Sequence, residues 1–324
     1  MGLLMSHIIA ICNQKGGVGK TALTINLGAA LSEQDKKVLL IDLDPQGHLT
    51  EGVGVKDLYL KETNTLSEAI TDHKGDGDRL IHHIPHEKFD IIPSNYQMAL
   101  IEQKLFMTRN REHKLRELLD DLSQQYDFVL IDCPPNLGNL TDNALNAARR
   151  VVVPIQAETS SVRALDLLFD QIESVEHGLK IQIAVLAVVP NLVQDSALSK
   201  RILSDLRANI PVLTPFEIKK RVVLQEAYDK GCSIFSFKPP NSVKEQDAHE
   251  LKKVYTEFIG KYLSCLCKLD CGIIFKAGFE TQLRASRPSI SCGMRALGMA
   301  RQIRDGRLQS GIQPYRVPTL QGLD

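Results

Sequence analysis

Short apolar, β-branched runs alternate along this chain with longer stretches in which apolar positions recur at helical spacing. His7-Ile8-Ile9-Ala10-Ile11-Cys12 is continuous and apolar, the pattern of a strand buried on both faces. Residues 22–33 repeat apolar side chains with a helical period. Val38-Leu39-Leu40-Ile41-Asp42 and Phe128-Val129-Leu130-Ile131-Asp132 repeat the strand pattern, as do 89–93, 151–155 and 181–189. Helices are expected near 101–122, 162–175 and 245–262, and the polar, Gly/Asp-rich stretch 72–78 reads as a loop. Strands alternating with helices predict an α/β fold: a doubly wound, mostly parallel sheet with helices on both faces.

Between the first strand and the first helix lies Lys15-Gly16-Gly17-Val18-Gly19-Lys20-Thr21. A Gly-rich turn that ends in Gly-Lys-Thr and opens a helix at Ala22 holds nucleotide phosphates against backbone N–H groups, so ATP or GTP is the expected ligand. Glycines at 16, 17 and 19 allow backbone angles and close phosphate approach that a Cβ would obstruct. Lys20 is expected to reach the β- and γ-phosphates and the Thr21 hydroxyl to ligate Mg2+. The usual form of this loop has a glycine five positions before Gly19. Here Gln14 stands in that place, and a second lysine, Lys15, follows it.

Two of the other strands end in carboxylates, within Asp42-Leu43-Asp44-Pro45-Gln46-Gly47 and Asp132-Cys133-Pro134-Pro135. Ligands gather at the carboxyl ends of parallel strands, so Asp44 and Asp132 are expected to flank the phosphates. An acid at a strand end can also cap a helix or sit on the surface.

The three segments KGGVGKT, IDLDPQG and LIDCPP together resemble the ParA/MinD group of deviant Walker ATPases, and the DPQG segment its ParA/Soj partitioning branch. The resemblance spans roughly residues 5–263 and implies ATP and Mg2+ as cofactors. It further implies an ATP-sandwich homodimer in which Lys15 crosses to the partner's nucleotide. Asp44 would position or polarise the attacking water, and Asp132 would support Mg2+. Asn191 lies where relatives place an adenine-contacting asparagine; as a residue following Pro190 it is equally a turn former. Non-specific DNA and a ParB-like centromere-binding protein are the implied partners. The alternative is a MinD-like membrane-associated positioning ATPase.

For DNA the relevant stretch is Ile218-Lys219-Lys220-Arg221-Val222-Val223-Leu224-Gln225-Glu226-Ala227, which resembles the family's I-P-R-N-V-R-L-x-E-A. Lys220 matches the first arginine, Arg221 replaces the asparagine, and Val223 replaces the second arginine. Phosphate contacts depend on local positive charge, so Lys219, Lys220 and Arg221 are the candidate DNA contacts, with Lys200 and Arg201 as additions. The other reading is a solvated basic helix start.

At 324 residues and 43% hydrophobic content the chain can bury a substantial core, and its formal net charge of zero means that any DNA contact must be local. No run reaches the length of a membrane span and no export signal is recognisable, so a cytoplasmic, nucleoid-associated location is expected. The seven cysteines are therefore expected as thiols; Cys265, Cys267 and Cys271 raise a metal site, though their spacing lacks the paired C-x2-C of common zinc folds. Two regions are expected: an ATPase domain over 1–263 and a basic extension over 264–324, where nine Lys/Arg face four Asp/Glu and apolar periodicity is weak.

Overall fold

The computed structural model describes residues 6–72, 77–158, 160–263 and 266. Among these, seven strands form one sheet: β1 (His7–Ile11), β2 (Val38–Asp42), β3 (His82–Ile84), β4 (Phe89–Ile92), β5 (Phe128–Asp132), β6 (Arg150–Ile155) and β7 (Ala184–Pro190). Their order is β3-β4-β2-β5-β1-β6-β7, and every neighbouring pair is parallel except β3 with β4. The doubly wound, mostly parallel α/β sheet expected from the sequence is therefore present. β1 lies between β5 and β6, strands that follow it by more than a hundred residues. Chain connections depart to opposite sides at such a point, and the crevice left at the carboxyl ends of the strands is where ligands bind in open α/β sheets.

The strands are buried on both faces, which is why they read as continuous apolar runs. Successive side chains still alternate. Ile9, Ile11, Val38, Leu40, Phe128 and Leu130 pack into one hydrophobic cluster with residues of α1 (Lys20–Ser32) and α10 (Ser242–Phe258). On the other layer α6 (Asn139–Ala148) packs on β1 and β6, flanked by α5 (Lys114–Leu122) and α7 (Ser160–Leu179). α1 is buried almost all round, and Gly28 is required there because a Cβ would stand 2.8 Å from the Leu40 side chain.

Residues 101–122 do not form the single helix expected. α4 (Ile101–Phe106) ends early, Asn110 takes a left-handed φ of 51°, and the chain restarts as α5. The interruption is held from α6: the Asn143 amide donates to Arg111 O at 2.7 Å and accepts from Leu115 N–H, while Asn146 donates to Glu112 O. These contacts satisfy backbone groups that an unbroken helix would satisfy internally. The remaining helices are α2 (His48–Gly52), α3 (Leu66–Asp72), α8 (Ala197–Asn209) and α9 (Val222–Asp229). Side-chain caps start α8 and α10, where Ser196 accepts from Ser199 N–H and Asn241 from Lys244 N–H. None of the described helices is long and apolar enough to cross a membrane. Cys265, Cys267 and Cys271 lie outside the described residues, as does almost all of 264–324.

Candidate nucleotide site

The loop after β1 is built from its own glycines and from side chains far away in sequence. Gly17 and Gly19 have φ of 73° and 80°, the left-handed region that favours glycine. Among the described residues, a Cβ at Gly16 or Gly17 would meet no atom within 4 Å apart from its chain neighbours, which leaves the room a phosphate cradle requires. Gly19 is needed for a second reason: a Cβ there would stand 2.6 Å from the Asn191 amide nitrogen. Val18 anchors the loop from below, fully buried, and Ala22 continues the first turn of α1.

Polar side chains from several elements hold the loop in shape. Asn13 donates to Pro154 O at 2.7 Å and accepts from Lys15 N–H at 2.8 Å, using a carbonyl of β6 beyond the last residue paired with β1. The Gln156 amide donates to Gly17 O at 2.9 Å. Asn191, at the end of β7, is buried and donates to Val18 O at 2.9 Å and to Gly19 O at 3.2 Å. Its amide nitrogen thus braces the loop from beneath. A further contact fixes Lys15, whose ammonium lies 2.5 Å from Glu158 Oε2 and 3.1 Å from Ser160 Oγ of the same chain.

The ends of β1, β5 and β2 lie side by side. In register across the sheet, Asp132 stands beside Ile11 on one side and Asp42 on the other. Thr21 Oγ1 donates to Asp132 Oδ2 at 2.7 Å, which brings the two expected metal-binding side chains together. Asp132 Oδ1 is buried with no hydrogen-bond partner among the described residues. A divalent cation fits this arrangement: an orphaned carboxylate oxygen beside a hydroxyl is the hard oxygen donor set that Mg2+ takes, and the cation would supply the missing contact. Burial pushes the Asp132 carboxyl up to about 7, opposed by the Thr21 hydroxyl and then the Lys20 ammonium. Lys20 is itself largely buried at the head of α1.

Asp44 is buried and held by a closed set of hydrogen bonds. Its Oδ1 accepts from Gln46 N–H at 2.9 Å, and its backbone N–H points to Asp42 Oδ1 at 3.3 Å. Asp42 Oδ2 takes both the N–H and the hydroxyl of Thr50, at 2.7 and 2.6 Å. Ser94 closes the ring: its N–H donates to Thr50 Oγ1 and its hydroxyl to Asp44 O at 2.7 Å. Burial, and then the charge of Asp132, hold the Asp42 carboxyl well above the usual carboxylate range. Tyr59 covers the same loop by donating to Pro45 O at 2.8 Å, its ring filling the space above Gly47.

A family model described as "AAA domain" matches residues 6–185. The chain is 37% identical over 216 residues to the sporulation initiation inhibitor protein Soj of Bacillus subtilis, covering 67% of this chain and 80% of that one. It is 32% identical over 245 residues to the chromosome partitioning protein ParA of Myxococcus xanthus, covering 71% and 86%. The chain belongs to the ParA/Soj-type partitioning ATPases. Among solved structures, cobyrinic acid a,c-diamide synthase of Mycobacterium smegmatis with bound ADP and magnesium superposes with a TM-score of 0.63 at 33% identity, over 70% of this chain and 92% of that one. The seven-stranded sheet with its Gly-rich loop is thus that of a P-loop ATPase.

The candidate DNA segment runs beside the end of β7, where Ile218 N–H donates to Pro190 O next to Asn191, and leads into α9. Lys219 and Lys220 are exposed and held by backbone pairing to Val193. Arg221 turns the other way, to Asp247 at 2.9 Å and Glu250 at 3.5 Å on α10. Lys200 pairs with Asp195 at 2.7 Å, and Arg201 is exposed on α8. No sequence pattern singles out Asn13, Gln156, Glu158 or Ser160. Each acts through a partner on another strand or loop, and only a polar residue next to a strand end marks them.

Proposed function

We propose that the chain is an ATP-switched DNA-partitioning ATPase. ATP with Mg2+ occupies the cradle, with Lys15, Gly16, Gly17, Val18, Gly19, Lys20, Thr21 and Ala22 around the phosphates, Thr21 and Asp132 toward the metal, and Asn191 near the base. Bound Mg2+ supplies neutralisation of phosphate charge. Lys20 adds a buried ammonium, the loop amides add fixed donors, and Asp44 orients the attacking water. The observation that carries this reading is the Thr21–Asp132 pair, with its unpartnered carboxylate oxygen, beside a glycine loop kept open on one side. It is supported by the ADP and magnesium bound in the structurally similar synthase. Partitioning is supported by the Soj relative, 37% identical over 67% of this chain, and the ParA relative, 32% identical over 71%.

Two ATP-bound chains then close into a homodimer in which Lys15 reaches the partner's nucleotide. The Lys15–Glu158 pair does not oppose this, since partly exposed ion pairs are worth about 1 kcal/mol or less, whereas a contact to a desolvated phosphate is stronger. The dimer binds DNA without sequence preference through Lys219 and Lys220, with Arg221 shaping the segment, and a ParB-like protein stimulates hydrolysis. The ATPase domain runs over 1–263 with 264–324 as a basic extension, and the protein works in the cytoplasm on the nucleoid.

The test is DNA binding by the full chain with ATP, with ADP and without nucleotide, across a salt series. ATP should raise the affinity, and the affinity should fall steeply with salt. Equal binding in all three states, or ATP-dependent recruitment to anionic vesicles in place of DNA, overturns the reading.

A further inference from the structure

The loop that carries Asp44 and the segment that carries Lys219 and Lys220 are far apart in sequence, yet the helices that follow them touch at three points. α2 starts directly after Asp44-Pro45-Gln46-Gly47, and α9 starts directly after Lys219-Lys220-Arg221. At the first residue of α2, the Tyr228 hydroxyl of α9 donates to His48 O at 2.9 Å. The Tyr228 ring occupies the space a side chain at Gly52 would need, since a Cβ there would stand 2.5 Å from the ring. Just past both helices Gly54 and Gly231 meet backbone to backbone, with φ of 82° and 67°, and a Cβ on Gly231 would stand 2.6 Å from Gly54 Cα.

These contacts leave little room for one helix to slide past the other. Only glycines fit at two of the points, and close-packed contacts shift between discrete arrangements more readily than they deform. α2 is in turn tied to the catalytic loop: Gly47 N–H donates to Asp44 O, Glu51 N–H to Gly47 O, and Thr50 to Asp42. On its other side α9 is held by ion pairs to α10, Arg221 with Asp247 and Glu250, and Glu226 with Lys244. All of these ion pairs are partly exposed, so water competes for them, whereas the glycine contacts are steric.

We propose that Tyr228 is a positioning residue that joins the Asp44 loop to the basic segment, so that the nucleotide state of the loop sets where Lys219 and Lys220 stand. The inference rests on the Asp44 and DNA roles assigned under Proposed function. Linkage makes the coupling mutual: DNA on the two lysines biases the Asp44 loop by the same factor with which ATP improves DNA binding. Tyr228 acts through the His48 carbonyl and the packing on Gly52.

Tyr228→Phe keeps the ring and removes the hydrogen bond. In the full chain the ratio of DNA affinity with ATP to that with ADP should contract by about threefold to tenfold, the range expected for one lost hydrogen bond. The tightening of ATP by saturating DNA should contract equally. A merely structural role would lower stability without changing either ratio, so an unchanged ratio in Tyr228→Phe overturns the coupling alone. A wild-type chain that binds DNA equally in ATP and ADP overturns the DNA reading and the coupling together. Hydrogen exchange on the wild-type protein needs no variant and no DNA: ATP should slow exchange across residues 222–231 as well as 44–54. Protection confined to 44–54 also overturns the proposal.

Discussion

Lys15 shows how far a single residue can be placed from sequence. Its position beside Gln14, in a loop that normally begins with glycine, marked it as unusual, and the resemblance gave it a role across a dimer. Its partners within the chain, Glu158 and Ser160, lie 143 and 145 residues away and no local pattern points to them. The same holds for Asn13, Gln156 and Asn191, which shape the loop through contacts spanning 139 to 173 residues. Glycine positions were legible because the constraint is on the residue itself; bracing side chains were not, because theirs is on a distant partner. Lys15→Ala should leave ATP binding to the monomer within about threefold of wild type and abolish the ATP-dependent dimer. Light scattering with ATP checks this, and a dimer of normal stability would remove Lys15 from the interface.

At the scale of elements, six of the seven strands were legible, whereas the short antiparallel β3, the short helices α2 and α3 and the break within 101–122 were not. Buried parallel strands are apolar at every position, so β1, β2, β5 and β6 stand out in the sequence. The break between α4 and α5 depends on Asn143 and Asn146 of a later helix, which no periodicity over 101–122 can reveal. The basic segment before α9 likewise divides in a way that composition hides. Lys219 and Lys220 are exposed, whereas Arg221 bridges to α10. Lys219→Ala with Lys220→Ala should therefore weaken DNA binding at every sequence and lower the salt slope by about two, one for each phosphate contact. Arg221→Ala should change the salt slope little and act instead on stability, by about 1 kcal/mol or less. Salt titrations beside denaturant melts separate the two, and a large slope change from Arg221→Ala would reassign the contact.

The whole molecule carries a tension at the strand ends. Asp42 and Asp132 are both buried and adjacent across the sheet, and the folded chain holds on to protons there that the unfolded chain releases. For Asp132 the ordinary value of 3.8 rises to about 7, so its contribution to stability is fully present below about pH 4 and is lost as the pH climbs through about 7. The metal-free protein should accordingly melt at lower temperature as the pH is raised from about 5 to about 8. Asp132→Asn, which cannot ionise, should flatten that dependence, and Mg2+ with ATP should restore stability at the high end by favouring the carboxylate. Melting curves across pH with and without Mg2+ and ATP check all three, and a wild-type slope in Asp132→Asn would place the titration elsewhere.

The position of β1 deep inside the sheet has a further consequence on warming. Outer strands fray first and interior ones last, so the flank formed by β7 and the residues bridged to it should loosen while the strand beneath the glycine loop is still intact. Because Asn191, directly after β7, holds Val18 O and Gly19 O, warming would then slacken the proposed nucleotide cradle and the proposed DNA segment together.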